Sequence, residues 1–501
     1  MATVKSFSHS RREYASAGPR PNRYSNQQAK PGSDISDAFS SLAGAPILEL
    51  PQRYSELKKE LVPGLRDQEV LLKNWNEVLD CLKHTNARIK EQGGKIIPRL
   101  LFSDIENGRI DPDILEQVRS VGTVIVKGAV TKEQALGWKE SIKRYAADNR
   151  DRARGFPKDD PQVWEFYHSR PQVSARTHPA ILKTQAFLLT QWRADADAEI
   201  SLGNPISYFD RLRIRFPGDM TFALGPHIDG GSVERWEDNK AYRKCFSRIL
   251  SPNWKSHDAF DATHRIEAKM DIYAGPSACN VFRPWQGWVS MSSTSANEGT
   301  LQVYPNTLLS TAYLILRAFF SPIRTASEFG GNKNGYLAAE NWALDLESTA
   351  FPGSVPGRAQ ELSDETHPHL ELTETMTSVP PVDPGDQVYW HCDTIHAVES
   401  QHRGKGDSSV MYIPAVPVTV NNAEYLAAQR ASFITGYRPY DFSSVEGEIG
   451  FIGRGSLQDI NEGSLSRRAY GLEKFEALGN GNGEANAIEK ANEWLFGPHS
   501  L

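Results

Sequence analysis

The chain predicts an α+β fold whose core is a double-stranded β-helix, a cupin-like jelly roll, flanked by helices. Three observations point there. Short apolar or alternating runs separated by Gly, Pro and Asn turns fill residues 211–417, and apolar residues at helical spacing lie outside that span. A His-x-Asp pair, His227 and Asp229, follows the alternating run Arg211-Leu212-Arg213-Ile214-Arg215-Phe216. A second histidine-bearing stretch, residues 384–398, follows a Pro-Gly-Asp turn at the distance that the other half of a jelly roll requires.

In chain order, residues 1–45 are rich in Ser, Pro, Asn and Gln and carry Arg11, Arg12, Arg20 and Arg23. So few apolar residues predict a disordered tail, and Pro19, Pro21 and Pro31 weigh against the alternative of an amphipathic mitochondrial presequence. A helical extension is expected over 46–120. In it Val70, Leu71, Trp75, Val78, Leu79 and Leu82 form one helical stripe closed by Gly93-Gly94. A β-domain is expected over 121–420. It opens with the strand Thr123-Val124-Ile125-Val126 and a helix begun by the capping box Thr131 to Gln134.

Within that domain, residues 232–280 read as a polar and aromatic insertion, long enough to form a lid or binding loop. Its His257, Asp258, Asp261 and His264 could pass for a second metal site, but nothing else there fixes a geometry, and Asp and His are ordinary in polar loops. Trp164 and Tyr167, in an aromatic-rich segment, and Arg235 and Trp236, in the insertion, are candidate substrate-pocket residues. The segment from Trp288 to Pro305 reads as a β-hairpin, and His367-Pro368-His369 sits in a polar run that reads as a solvated loop. A helical extension is expected over 421–501, with a Gly/Asn tract at 479–483 before a last helix.

The net charge of −6 and the lack of a Lys/Arg block argue against nucleic acid or an anionic membrane as partner. Cys81, Cys245, Cys279 and Cys392 form no CxxC pair and are too few for a disulfide framework, so reduced thiols in a soluble, cytoplasmic protein are expected. Oligomeric state is not readable.

The chemistry begins at His227 and Asp229. In an extended segment residues i and i+2 share a face, so this imidazole and carboxylate can converge on one ion. A non-haem Fe(II) centre needs one more imidazole and keeps its opposite positions open. Residues 384–398 offer two, His391 and His396.

These stretches resemble the phytanoyl-CoA-dioxygenase-like branch of the Fe(II)/2-oxoglutarate oxygenases, and within it the DUF1479 family. The resemblance covers roughly residues 122–417. It rests on the His227/Asp229 pair, the Gly385-Asp386 turn with its apolar strand, and the segment from Gln286 to Thr307. The family's Pro-Gly-Ser-His-like end there is replaced by Pro305-Asn306-Thr307-Leu308. The resemblance implies His396 as the third ligand, Fe(II) as metal, 2-oxoglutarate as cosubstrate and hydroxylation of a small-molecule metabolite by O2. An Asp at the ligand position, where halogenases leave room for halide, favours oxygen transfer.

Many relatives hold the far carboxylate of 2-oxoglutarate with an Arg on the strand after the distal His. That strand here, Ser408 to Pro414, has none. Arg215, Arg283 and Arg403 are the candidates for cosubstrate binding, with Trp288 beside them. Two other classes stay open: a cupin-like metalloenzyme that does not use 2-oxoglutarate, and a catalytically silent binding protein of the same fold.

Overall fold

The computed structural model describes residues 24, 30, 35–44 and 49–498, apart from 222, 277 and 443–446. Most of the expected tail, including the presequence alternative, lies outside the described residues. The part that is described is built against the body of the protein: Ile35–Ala38 and Ser40–Ala43 are helical turns, and Ile35, Ala38 and Phe39 are buried. Ala359 donates its N–H to the Ala38 carbonyl at 3.0 Å, which ties this stretch to a distant loop.

Two mixed-length sheets of largely antiparallel strands form the core. We number ten strands: β1 Thr123–Lys127, β2 Leu212–Arg215, β3 His227–Ile228, β4 Trp285–Ser290, β5 Leu301–Val303, β6 Gln360–Glu361, β7 Thr377–Ser378, β8 Gln387–His391, β9 His396–Val398 and β10 Ser408–Tyr412. The eight-stranded sheet has the internal order β1-β8-β4-β10-β2. It is extended by Arg99–Leu101 at one edge and by Val163–Trp164 and Gly155–Phe156 at the other. The five-stranded sheet runs β6-β3-β9-β5-β7. Successive strands β2, β3, β4 and β5 alternate between the sheets, as do β7, β8, β9 and β10.

This alternation corrects the expected hairpin. β4 and β5, although only ten residues apart, lie in different sheets: β4 pairs with β8 and β10, and β5 with β7 and β9. The residues between them form a corner, with Asn297 at φ 69° and Gly299 at φ 74°. Local pattern cannot separate a corner from a hairpin, because both need a left-handed turn residue between two apolar runs.

Period-2 patterning sorts the side chains. Leu212 and Ile214 of β2 join Val289, Tyr389 and Met411 in an apolar cluster that includes Trp138 and Ile142 of the helix Lys132–Asp148. Thr131 caps that helix by accepting from the Gln134 N–H at 3.2 Å. The other faces of the same strands contribute Trp288, Val388, Trp390 and Val410 to a cluster shared with Leu301 and Val303 of the five-stranded sheet. Arg211, Arg213 and Arg215 therefore emerge between the sheets.

The helix Leu65–Gln92 buries Leu71, Trp75, Val78, Leu79 and Leu82, the stripe legible in the sequence, and Trp75 stacks on Phe320 at 4.4 Å. Its neighbour is the helix Thr307–Arg317, started by Asn306, whose side chain accepts from the Leu309 N–H. The departure Pro305-Asn306-Thr307-Leu308 is thus a helix cap. His367 and His369 are not in a solvated loop: they are 1% and 5% exposed, and Tyr313 and the His369 Nδ1 lie 3.0 Å apart. The polar run around them is exposed, but the pair itself turns inward against Tyr313 and Trp342. No helix among the described residues is long and apolar enough to cross a membrane.

Candidate metal centre

β3 and β9 are hydrogen-bonded neighbours, and their register sets His227 directly opposite His396. Side chains directly opposite in an antiparallel pair point to the same face, so both imidazoles enter the space between the sheets. Asp229, two residues beyond His227, returns to that face as β3 ends. One ligand atom from each of the three residues lies within 4.8 Å of the others, and each Nε2 is 3.8 Å from an Asp229 oxygen.

The tautomers are set by the backbone. His227 Nδ1 is 2.7 Å from the Gly225 carbonyl and His396 Nδ1 is 3.0 Å from the Thr394 carbonyl. A carbonyl only accepts, so each Nδ1 carries the proton and each Nε2 presents a lone pair to the centre. Burial, reinforced by His227, pushes the His396 pKa down to about 4, which keeps that ring neutral and available as a ligand at neutral pH. Burial alone raises the Asp229 carboxyl, but His396, His227, Arg283 and Arg211 reverse this and hold it below the ordinary Asp value. Two neutral imidazoles and one carboxylate on one side of an otherwise open space fit a hard-to-borderline divalent ion such as Fe(II).

The loop that carries Asp229 is braced from the insertion. Arg235 donates to the Asp229 carbonyl at 2.8 Å and to the Gly231 carbonyl at 2.6 Å. Gly231 has φ 79°, and a Cβ there would lie 2.7 Å from the Met270 carbonyl, so no side chain fits. In the turn before β9, Asp393, three residues before His396, forms a buried pair with Arg265 of the insertion.

The three residues open onto a cavity of about 150 Å³ between the sheets. Trp288, Trp390 and Tyr412 wall it from the eight-stranded sheet, and Phe39 covers it, with its ring edge to face with His227 at 4.9 Å. Four arginines line it: Arg211, Arg213, Arg283 and Arg358. Arg211 is spent on Asp210 and Glu165. Arg213 is 3% exposed, has no acidic partner among the described residues, makes one hydrogen bond at 3.2 Å to the Gly299 carbonyl and leaves its Nε unpaired. Burial accordingly lowers its pKa.

The predicted residues divide. Among the expected cosubstrate residues, Arg283 and Trp288 line the cavity. Arg215 does not: its guanidinium is held by Asp219 at 2.6 Å and by the carbonyls of Glu399 and Ser400. Arg403 is exposed, bonded to Gln401 in the loop after β9. Of the expected pocket residues, Trp164 stacks on Phe166, and Tyr167 is buried with its hydroxyl on the Glu165 carboxylate. Trp236 packs on Phe351, and Arg235 faces the backbone of the metal loop; none of these four lines the cavity. His391 lies on the opposite face of β8, stacked on Trp192 at 4.7 Å with Nε2 bonded to the Ala259 carbonyl. Asp258 and Asp261 of the insertion pair with Arg193.

The sequence reading missed Arg213, Tyr412, Arg358 and Phe39. Arg213 could have been found, since it shares the i, i+2 alternation that nominated Arg215. Phe39, nearly two hundred residues from His227 in a Ser-rich stretch, carried no local signal.

A family model described as Gig2-like matches residues 48–472. Protein YbiU of Escherichia coli K12, described as uncharacterized, is 31% identical over 431 residues, 83% of this chain and 95% of its own length. The crystal structure of GlcNAc Inducible Gene 2, GIG2 (DUF1479), from Candida albicans matches with a TM-score of 0.79 and 28% identity, over 90% of this chain and 96% of that one. A protein of Salmonella typhimurium LT2 proposed to be an oxidoreductase matches with a TM-score of 0.70 and 28% identity, over 84% and 98%.

Proposed function

The chain belongs to the Gig2-like (DUF1479) family, and we propose that it is a non-haem Fe(II)- and 2-oxoglutarate-dependent dioxygenase that hydroxylates a small molecule. The observation that carries this reading is the convergence of His227 Nε2, the Asp229 carboxylate and His396 Nε2 at the wall of an otherwise open cavity. The alternation of strands between two facing sheets supports a double-stranded β-helix as the fold. The Salmonella relative's description as an oxidoreductase agrees with it.

His227, Asp229 and His396 would hold the iron. When bound, the iron supplies oxidative decarboxylation of 2-oxoglutarate to succinate and CO2, coupled to insertion of one oxygen atom of O2 into a C–H bond. The chain's own residues do the rest. The backbone carbonyls of Gly225 and Thr394 keep both Nδ1 atoms protonated and both rings oriented. Arg235 fixes the backbone at Asp229.

Arg213 is our choice to take the far carboxylate of 2-oxoglutarate. A buried guanidinium without an acid is costly, and a bidentate carboxylate answers that cost. It sits on β2 opposite Val410 of β10, the strand after His396, so it reaches from the neighbouring strand into the place where relatives put their Arg. Phe39, Trp288 and Trp390 exclude water around the reacting groups.

The test is iron-dependent release of succinate and CO2 from 2-oxoglutarate by the purified protein. Iron binding without any 2-oxoglutarate binding would move the assignment to a metalloenzyme of another kind. Failure to bind a divalent metal would leave a binding protein.

A further inference from the structure

Resting on the reading above, we infer that the primary substrate is a small carboxylate, and that Arg283 binds its anionic group. Arg283 lies just before β4, lines the cavity, and stacks its guanidinium over the Tyr208 ring at 4.5 Å. It has no hydrogen bond or ion pair with any described residue, so its donors are uncommitted. It lines the same space as Asp229 and Gly230, at the metal end of the cavity.

The charges of the cavity call for one more anion. A divalent metal, Asp229 and a dianionic cosubstrate together leave one negative charge, which Arg213 answers. Arg211 is already paired with Asp210. Glu234, the remaining lining acid, accepts from the Ser232 N–H, and burial pushes its pKa up to about 7, so it is a poor counterion. Arg283 then has no ion-paired acid among the described residues, and Arg358 beside the cavity donates to the Phe39 carbonyl at 3.3 Å. A cation held in a partly desolvated wall favours an anionic guest, and a guanidinium fits a planar carboxylate best. Leu224, Met270, Phe442 and Phe39 supply apolar surface for the rest of the molecule.

The experiment uses the full chain loaded anaerobically with Mn(II) and 2-oxoglutarate, and the metal-free chain in parallel. Benzoate is the anionic probe and benzyl alcohol its neutral counterpart, with binding followed by calorimetry and by the fluorescence of the cavity tryptophans. Benzoate should bind about tenfold or more tightly than benzyl alcohol, as expected for a charge-assisted pair. Arg283→Gln should erase that preference while changing 2-oxoglutarate affinity by no more than about twofold, and Arg283→Lys should retain part of it. The inference is overturned if the parent shows no preference, if Arg283→Gln keeps it, or if Arg283→Gln weakens 2-oxoglutarate as much as Arg213→Gln does. It is also overturned if the preference in the metal-free chain follows Arg213 instead. Should 2-oxoglutarate fail to bind the metal-loaded parent, the dioxygenase reading falls, while the probe preference in the metal-free chain still reports on Arg283.

Discussion

His227 and His396 are separated by 168 intervening residues and stand directly opposite each other on paired strands, their ring centroids 4.1 Å apart. Removing one imidazole should therefore cost the centre a ligand without disturbing a packed core. His396→Ala should lower Fe(II) affinity by about 100-fold or more, in excess of the effects typical of outer-shell changes. His391→Ala should leave metal affinity within a few-fold and instead lower stability by about 2–4 kcal/mol, because its ring is stacked on Trp192 in the core. Parallel metal titrations and thermal melts separate the two. Equal loss of metal in both variants would overturn the ligand assignment.

Arg213 and Arg215 on β2 and Arg403 in the loop after β9 should behave differently. Arg213→Gln should raise the dissociation constant for 2-oxoglutarate by about tenfold or more with iron affinity little changed. Arg215→Gln should cost about 3–5 kcal/mol of stability, since it strips the buried Asp219 and two carbonyls of their partner. Arg403→Ala should change 2-oxoglutarate affinity by no more than a few-fold. Chemical denaturation alongside cosubstrate binding checks all three.

Arg235 touches the site only through backbone. Arg235→Met keeps most of the buried bulk and deletes the bonds to the Asp229 and Gly231 carbonyls. Metal affinity should fall by about 10- to 100-fold, the range typical of groups that orient a ligand. An unchanged affinity would mean that the loop holds its shape unaided.

Stability should fall as the solution is acidified. Burial holds His168 and His369 down to about 3 and His257 down to about 4, and His367 well below its usual value. The unfolded chain therefore binds more protons than the folded one between pH ~6.5 and ~4, and the stability present above pH ~6.5 is lost through that window. Glu234 and Glu448, both raised to about 7 by burial, act in the opposite sense between pH ~4.5 and ~7 but are outnumbered. The melting temperature of the metal-free protein should drop by several degrees from pH 7 to pH 5. A flat profile would contradict the burial of these histidines.

Phe39→Ala should speed metal loss to a chelator several-fold with the melting temperature nearly unchanged. Its ring covers His227, while the turns that carry it are short and contribute little to the main core.

By itself the sequence determined the features that depend on spacing alone. The helix stripe from Leu71 to Leu82, the cap at Thr131 and the shared face of His227 and Asp229 follow from fixed periods of 3.6 and 2 residues, which any chain obeys locally. What only the tertiary structure decided is where each charge is spent. Arg211, Arg213 and Arg215 alternate along one segment and are equivalent by pattern, yet Asp210 takes the first and Asp219 the third, and the second has no acidic partner among the described residues. The same holds for β4 and β5, whose corner reads as a hairpin until their pairing partners are known, and for Phe39, which reaches His227 only through the fold. Partners far apart in sequence set burial and charge compensation, and a Coulomb or packing energy depends on distance in space, which local pattern does not encode.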